Sequence, residues 1–239
     1  MNRHHFTTPF SPQSMPAWRC PHCQDGTLTS IEESLTLSPT AATQELTEQI
    51  DCWLPEFEIS RFFMKMKCVK CKDPVLCIGI TKAVEEHDDE YGWVFSDALV
   101  PTYFEPYVPV IRIPSGCPES VSAEVLKASS LIWCSPSSSG NKIRVAVERL
   151  MDAQGVPNAR DLHVRIKNFS TTHQDVVDKL LAIKCIGNIG SHSDNLELVD
   201  VLDAFELLEY CLDELYEGRS ARLKALAASI NTHKGPPPK

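Results

Sequence analysis

Two Cys-x-x-Cys pairs, Cys20-Pro-His-Cys23 and Cys68-Val-Lys-Cys71, constrain this chain more than any other feature. Each short turn presents two sulfurs to one ion and lets backbone N–H groups satisfy sulfur lone pairs. Two turns close a tetrahedral shell of four thiolates, the donor set zinc takes at about 2.3 Å per bond. All four positions are then filled by protein, which leaves no place for a reactive water. The expected cofactor is therefore a structural zinc ion held by Cys20, Cys23, Cys68 and Cys71. The spacing departs from the compact form of the pattern, because 44 residues separate Cys23 from Cys68. Cys52, Cys77 and His22 are accordingly alternative ligands, and four independent thiols are the plain alternative. The ten cysteines lack any other pairing pattern, and the first 16 residues carry no apolar run of the kind a signal peptide needs. Both points favour a reducing, cytoplasmic setting over a disulfide scaffold.

Around these knuckles the texture is β. Thr27 to Ser38 alternates imperfectly, Phe57 to Met66 alternates better and runs into Cys68, and Val75 to Ile80 is a short apolar strand. The expected unit is a small β-rich zinc ribbon over 17–81, preceded by a flexible tail over 1–16. Residues 84–105 then hold seven acids and neither Lys nor Arg, with prolines at 101, 106, 109 and 114. This reads as an acidic, extended connector over 82–116, solvated or facing a basic partner.

From residue 117 to 230 the periodicity becomes helical. Val121, Val125, Ala128 and Ile132 share one helix face, as do Ile143, Val147, Leu150 and Met151. Pro136 and the Ser137–Gly140 cluster read as a break between them. Leu162, Ile166 and Phe169 mark a short third helix. Thr172 with Asp175 resembles a capping box for a fourth, which Gly187 and Gly190 would end. Asp194 with Glu197 opens a long helix carrying Leu198 to Leu215, Gly218 closes it, and Arg219 to Ile230 can add a last helix. Residues 231–239 end in Gly-Pro-Pro-Pro-Lys and read as a tail. The fold class is thus α+β, a zinc ribbon followed by an all-α bundle of about five helices.

The net charge of −9 excludes a broadly basic surface, so any nucleic-acid contact must be local. Near the knuckles, Arg61, Lys65, Lys67 and Lys70 interleave with Trp18, Phe62 and Phe63. Such a patch can contact phosphates and stack bases, or it can be an ordinary solvated strand face over core aromatics. No stretch approaches the ~20 apolar residues that span a bilayer.

The second reactive-looking segment is Lys184-Cys-Ile-Gly-Asn-Ile-Gly-Ser-His192, expected as a loop between helices. Asn188 can donate and accept, and His192 titrates near neutrality. The following helix would aim its positive end at this loop, where an anion could sit.

Residues 118–216 resemble a bacterial family of unknown function, number 4145, placed in the HEPN superfamily of helical bundles. The resemblance rests on Ile143–Asp152 (IRVAVERLMD) and on Gly187–His192 (GNIGSH), and members often carry an N-terminal zinc ribbon. It implies a cytoplasmic homodimer joined through the helical domain, with a partner from a bacterial defence system, RNA or DNA nearby and no membrane. The implied role is a binding or accessory module in defence. HEPN ribonucleases work without metal: the RNA 2′-OH attacks the adjacent phosphate while His moves the proton and Arg stabilises the developing charge. The resemblance then implies His192 as acid or base and Asn188 as its polar companion. Gly187 stands where the superfamily's Arg is usual, so the cation would be Lys184 or Arg144. The structural alternative is that Asn188 and His192 pin the loop and that Arg144 pairs with Glu148 four residues on. Nucleic-acid binding by the ribbon is a further alternative.

Overall fold

The computed structural model describes residues 1–49, 58–88, 90–169, 174–192 and 195–236. Cys52, Phe57, Asp89, Thr172, Ser193 and Asp194 lie outside the described residues. The architecture is mixed, with one five-stranded antiparallel sheet and, among the described residues, eight helices. The chain divides into two compact units. One comprises Asn2–Val110 with Ser129–Ser135; the other comprises Met1, Ile111–Ala128 and Pro136–Lys239.

The alternation of Ser-Arg-Phe-Phe-Met-Lys-Met-Lys-Cys organises the first unit. These residues form β3 (Ser60–Cys68), buried at every second position and exposed between. On one edge β3 pairs with β1 (Leu28–Ser30) near its end and with β2 (Thr36–Pro39) near its start; on the other it pairs with β4 (Pro74–Asp88). β4 in turn pairs with β5 (Gly92–Glu105). The inner face carries Phe62, Met64, Met66, Val75, Cys77 and Phe104, all buried. Trp18 lies 4.9 Å from both Phe10 and Phe104, edge to face, and Trp133 lies 4.9 Å from Phe104.

Two expectations for this unit need correction. The first 16 residues are not a loose tail. Phe6, in α1 (His4–Thr7), and Phe10 are buried, and Phe10 exchanges backbone hydrogen bonds with Leu99 of β5. Two aromatic side chains suffice to hook a segment otherwise polar. The acidic stretch is extended as expected, but its residues 82–105 are the far half of β4 and all of β5, a paired hairpin. Its register sets Trp93 opposite His87 and Phe95 opposite Glu85, and β-formers there outweigh the charge. Pro101 is tolerated because β5 is an edge strand, beside a register shift between Ile78 and Gly79. α2 (Ala41–Gln49) sits in the long insert between the two cysteine pairs.

Six helices occupy 119–233, the last of them over the stretch read as an optional final helix; all but the end of α3 lie in the second unit. They are α3 (Glu119–Leu131), α4 (Pro136–Ala153), α5 (Leu162–Lys167), α6 (Gln174–His192), α7 (Leu198–Glu217) and α8 (Arg219–His233). Pro136 begins α4 rather than breaking it, as Pro does well in a first turn. Ser137 and Ser139 behind it are buried within the helix: Ser139 donates to the Ala128 carbonyl at 2.8 Å, satisfying one of the orphan carbonyls at the end of α3. Ser139→Ala removes that bond in a dry site. Urea titration should register a loss of about 1 kcal/mol; an unchanged midpoint would mean the carbonyl finds water. α7 starts later than expected, capped by Glu197, whose backbone N–H donates to Asp200 at 2.9 Å. Gly218, at φ 57°, separates α7 from α8, and α8 buries none of its residues.

Candidate metal centre and helical site

The two cysteine pairs meet although 44 residues lie between them. Cys20 and Cys23 precede β1; Cys68 ends β3 and Cys71 lies in the turn before β4. The antiparallel pairing of Leu28 with Cys68 lays one turn against the other. All four Sγ atoms fall within 4.8 Å of one another, with Cys20–Cys71 and Cys23–Cys68 at 3.6 Å. Sulfurs on a tetrahedron with 2.3 Å metal–sulfur bonds stand roughly 3.8 Å apart. The N–H groups of Cys23, Gly26, Lys70 and Cys71 point at these sulfurs at 3.3–3.5 Å. Gly26 is required by crowding, since a Cβ there would stand 2.4 Å from the Cys68 sulfur.

Burial pushes the Cys20 thiol up to about 12. At Cys68 burial also acts upward, but N–H donation from Cys71 and Lys70, with contacts from the Cys71 and Cys23 sulfurs, brings the thiol down to about 6. N–H donors aimed at sulfur favour thiolates, the form in which cysteine binds a metal. The four residues could hold a metal ion. His22 and Cys77 are not in this cluster. Among the remaining described cysteines, Cys77 and Cys211 are buried, whereas Cys134 and Cys185 are exposed.

On β3, the side chains of Arg61, Phe63, Lys65 and Lys67 share the solvent face. Arg61, Lys65 and Lys67 have no ion-pair partner among the described residues. Lys70 stands apart from this row and pairs with Asp25 of the facing knuckle at 2.7 Å.

The segment from Lys184 to His192 is not a loop. α6 runs unbroken to His192, and its glycines serve helix contact instead of termination. α4 and α6 cross antiparallel: a Cβ on Gly187 would stand 2.5 Å from the Arg144 Cβ, and one on Gly190 would stand 2.3 Å from the Ser137 carbonyl oxygen. Glycine's missing side chain outweighs its poor helix propensity wherever backbones approach this closely. The seam also brings Ser191 to Asn141, at 2.8 Å. Arg144 therefore does lie beside Gly187. Its guanidinium is engaged with Glu148 at 2.5 Å, and its Nε is buried with no hydrogen-bond partner among the described residues. Lys184 and Asn188 follow one another at four-residue spacing along α6, half-buried and exposed respectively. The N-terminus of α7 is already supplied with the carboxylates of Glu197 and Asp200, so the anion expected there has no vacancy.

Sequence reasoning missed the seam residues Ser137, Gly140 and Asn141. The available signal was small residues at Ser137, Gly140, Gly187 and Gly190, three apart on each helix. Both motifs that carry the resemblance reach this seam, one through Arg144 and the other through Gly187, Gly190 and Ser191.

Residues 127–233 match the family model of a domain of unknown function, DUF4145. The DUF4145 region thus takes in α4 to α8, seam included. Residues 8–104 match a second domain of unknown function, DUF8608, which includes all four clustered cysteines and the sheet. No curated protein and no solved structure gives a significant match. No helix of the described residues is long and apolar enough to cross a membrane.

Proposed function

We propose that this protein is a zinc-structured binding module and not a self-contained enzyme. In this reading Cys20, Cys23, Cys68 and Cys71 hold zinc in a ribbon-like unit. The ion supplies fold stability by fixing β1 to β3 and performs no step. The DUF4145 region is HEPN-like and joins two copies in a cytoplasmic homodimer, an accessory to a defence or nucleic-acid process.

One observation carries the preference for binding over catalysis. The segment expected to be a reactive loop is continuous helix, and its polar neighbours are spent on packing: Arg144 on Glu148, Ser191 on Asn141. A cation committed to a carboxylate at 2.5 Å is poorly placed to stabilise a phosphate in transition. The ribonuclease reading keeps one supporting observation, the orphaned Arg144 Nε beside α6.

The two readings separate in a single assay. The purified protein should carry close to one zinc per chain and leave single-stranded RNA full-length during prolonged incubation in EDTA. RNA cleavage that disappears in His192→Ala would replace the binding reading with a metal-independent endoribonuclease built on His192, Asn188, Lys184 and Arg144.

A further inference from the structure

The outer face of the sheet has an unusual surface for a protein of net charge −9. The cations Arg61, Lys65 and Lys67 follow one another along β3, spanning about 20 Å at strand spacing. Between them sits Phe63, 36% exposed. Cross-strand pairing continues this position sideways: Phe63 faces Ile78 of β4, and Ile78 faces Tyr103 of β5. Leu76, Ile78 and Ile80 on β4 are each 37–44% exposed. The face thus has a cationic row along β3, flanked by β1 and β2 on one side, and on the other an apolar, partly aromatic stretch of β4 that ends in exposed Lys82. Its far margin carries Glu105, opposite Leu76 and hydrogen-bonded to the Tyr103 hydroxyl.

We propose that this face binds single-stranded nucleic acid, with the phosphates along β3 and the bases turned inward. The inference rests on the binding-module reading and names its ligand class. Charge fixes the orientation: phosphates favour Arg61, Lys65 and Lys67 and are repelled by Glu105. Unpaired bases expose apolar faces that the exposed side chains of Phe63, Ile78 and Leu76 can cover, whereas paired bases in a duplex hide theirs. This face lies on the side of the sheet opposite the buried core, so its side chains can be changed without opening a cavity.

The test is fluorescence anisotropy on the full chain with labelled 12-nucleotide DNA and RNA strands and the matching duplex, titrated at several salt concentrations. Both single strands should bind more tightly than the duplex by roughly tenfold or more, and the ratio between DNA and RNA identifies the natural strand. Lys65→Gln with Lys67→Gln should lower the log–log salt slope by about 1.4, at ~0.7 per phosphate contact. Phe63→Ala should weaken binding by roughly 5- to 100-fold at unchanged slope, the span of one stacked base. Glu105→Gln should tighten it. Metal content and strand length are read on every sample, so lost zinc or cut RNA, which bear on the binding-module reading, are visible apart from lost affinity. Absent binding, or binding indifferent to these changes at retained metal, overturns the proposal; so does a preference for duplex.

Discussion

Changing Cys71 to serine should cost the protein its metal and unfold the β-rich unit, although the residue is exposed. An exposed Cys→Ser substitution outside any special site shifts stability by about 0.5 kcal/mol at most. Loss of a structural zinc removes a binding free energy of about 10–16 kcal/mol in small zinc domains, more than a unit of this size has to spare. Cys134→Ser is the control, because Cys134 is equally exposed, lies in the same unit and is outside the cluster. Metal content per chain and the near-ultraviolet signal of buried Trp18 are the measurements. The expected outcome is near-zero zinc and a collapsed aromatic signal for Cys71→Ser, with Cys134→Ser like the parent. A folded, metal-free Cys71→Ser protein would show that the four sulfurs meet only through chain packing.

The second large effect concerns a sign. Helix propensity alone says that Gly187→Ala with Gly190→Ala should stabilise α6, by about 1 kcal/mol per residue. Contact geometry says the reverse. The added methyls would stand 2.5 Å from the Arg144 Cβ and 2.3 Å from the Ser137 carbonyl, and backbone cannot yield as a flexible side-chain tip can. Overpacking costs about 1–3 kcal/mol per site, so the double variant should lose roughly 2 kcal/mol net, or about 6 °C in Tm. Gly116→Ala, whose added methyl would approach nothing closer than 3.8 Å, should leave the Tm within a degree or two of the parent. A rise in Tm for the double variant would mean that α4 and α6 do not meet this closely in solution.

These same residues show where the sequence could be read and where it could not. The cysteine cluster was legible because metal coordination needs few residues at fixed local spacing, and the strand before Cys68 announced itself by alternation. Phe6 and Phe10 were not legible as anchors, because a hook of two aromatics in a polar segment has no period. The β4–β5 hairpin was obscured by its charge: seven acids and four nearby prolines argued against structure, while pairing depends on partners far along the chain. The glycines of α6 posed the harder problem. The residue that ends a helix in isolation is the one that lets two helices touch, and only the neighbouring helix decides between these roles. The helical site was misread as a loop for that reason alone.

α8 carries a consequence of its own. It is a 15-residue helix that buries nothing, and helices of that length are marginal by themselves in water. Its amide protons should therefore exchange with solvent on a far shorter timescale than those of α7, and the global unfolding equilibrium should be almost indifferent to its sequence. Substitutions can accumulate along its surface at no cost to the rest of the molecule, which leaves that segment free to diverge.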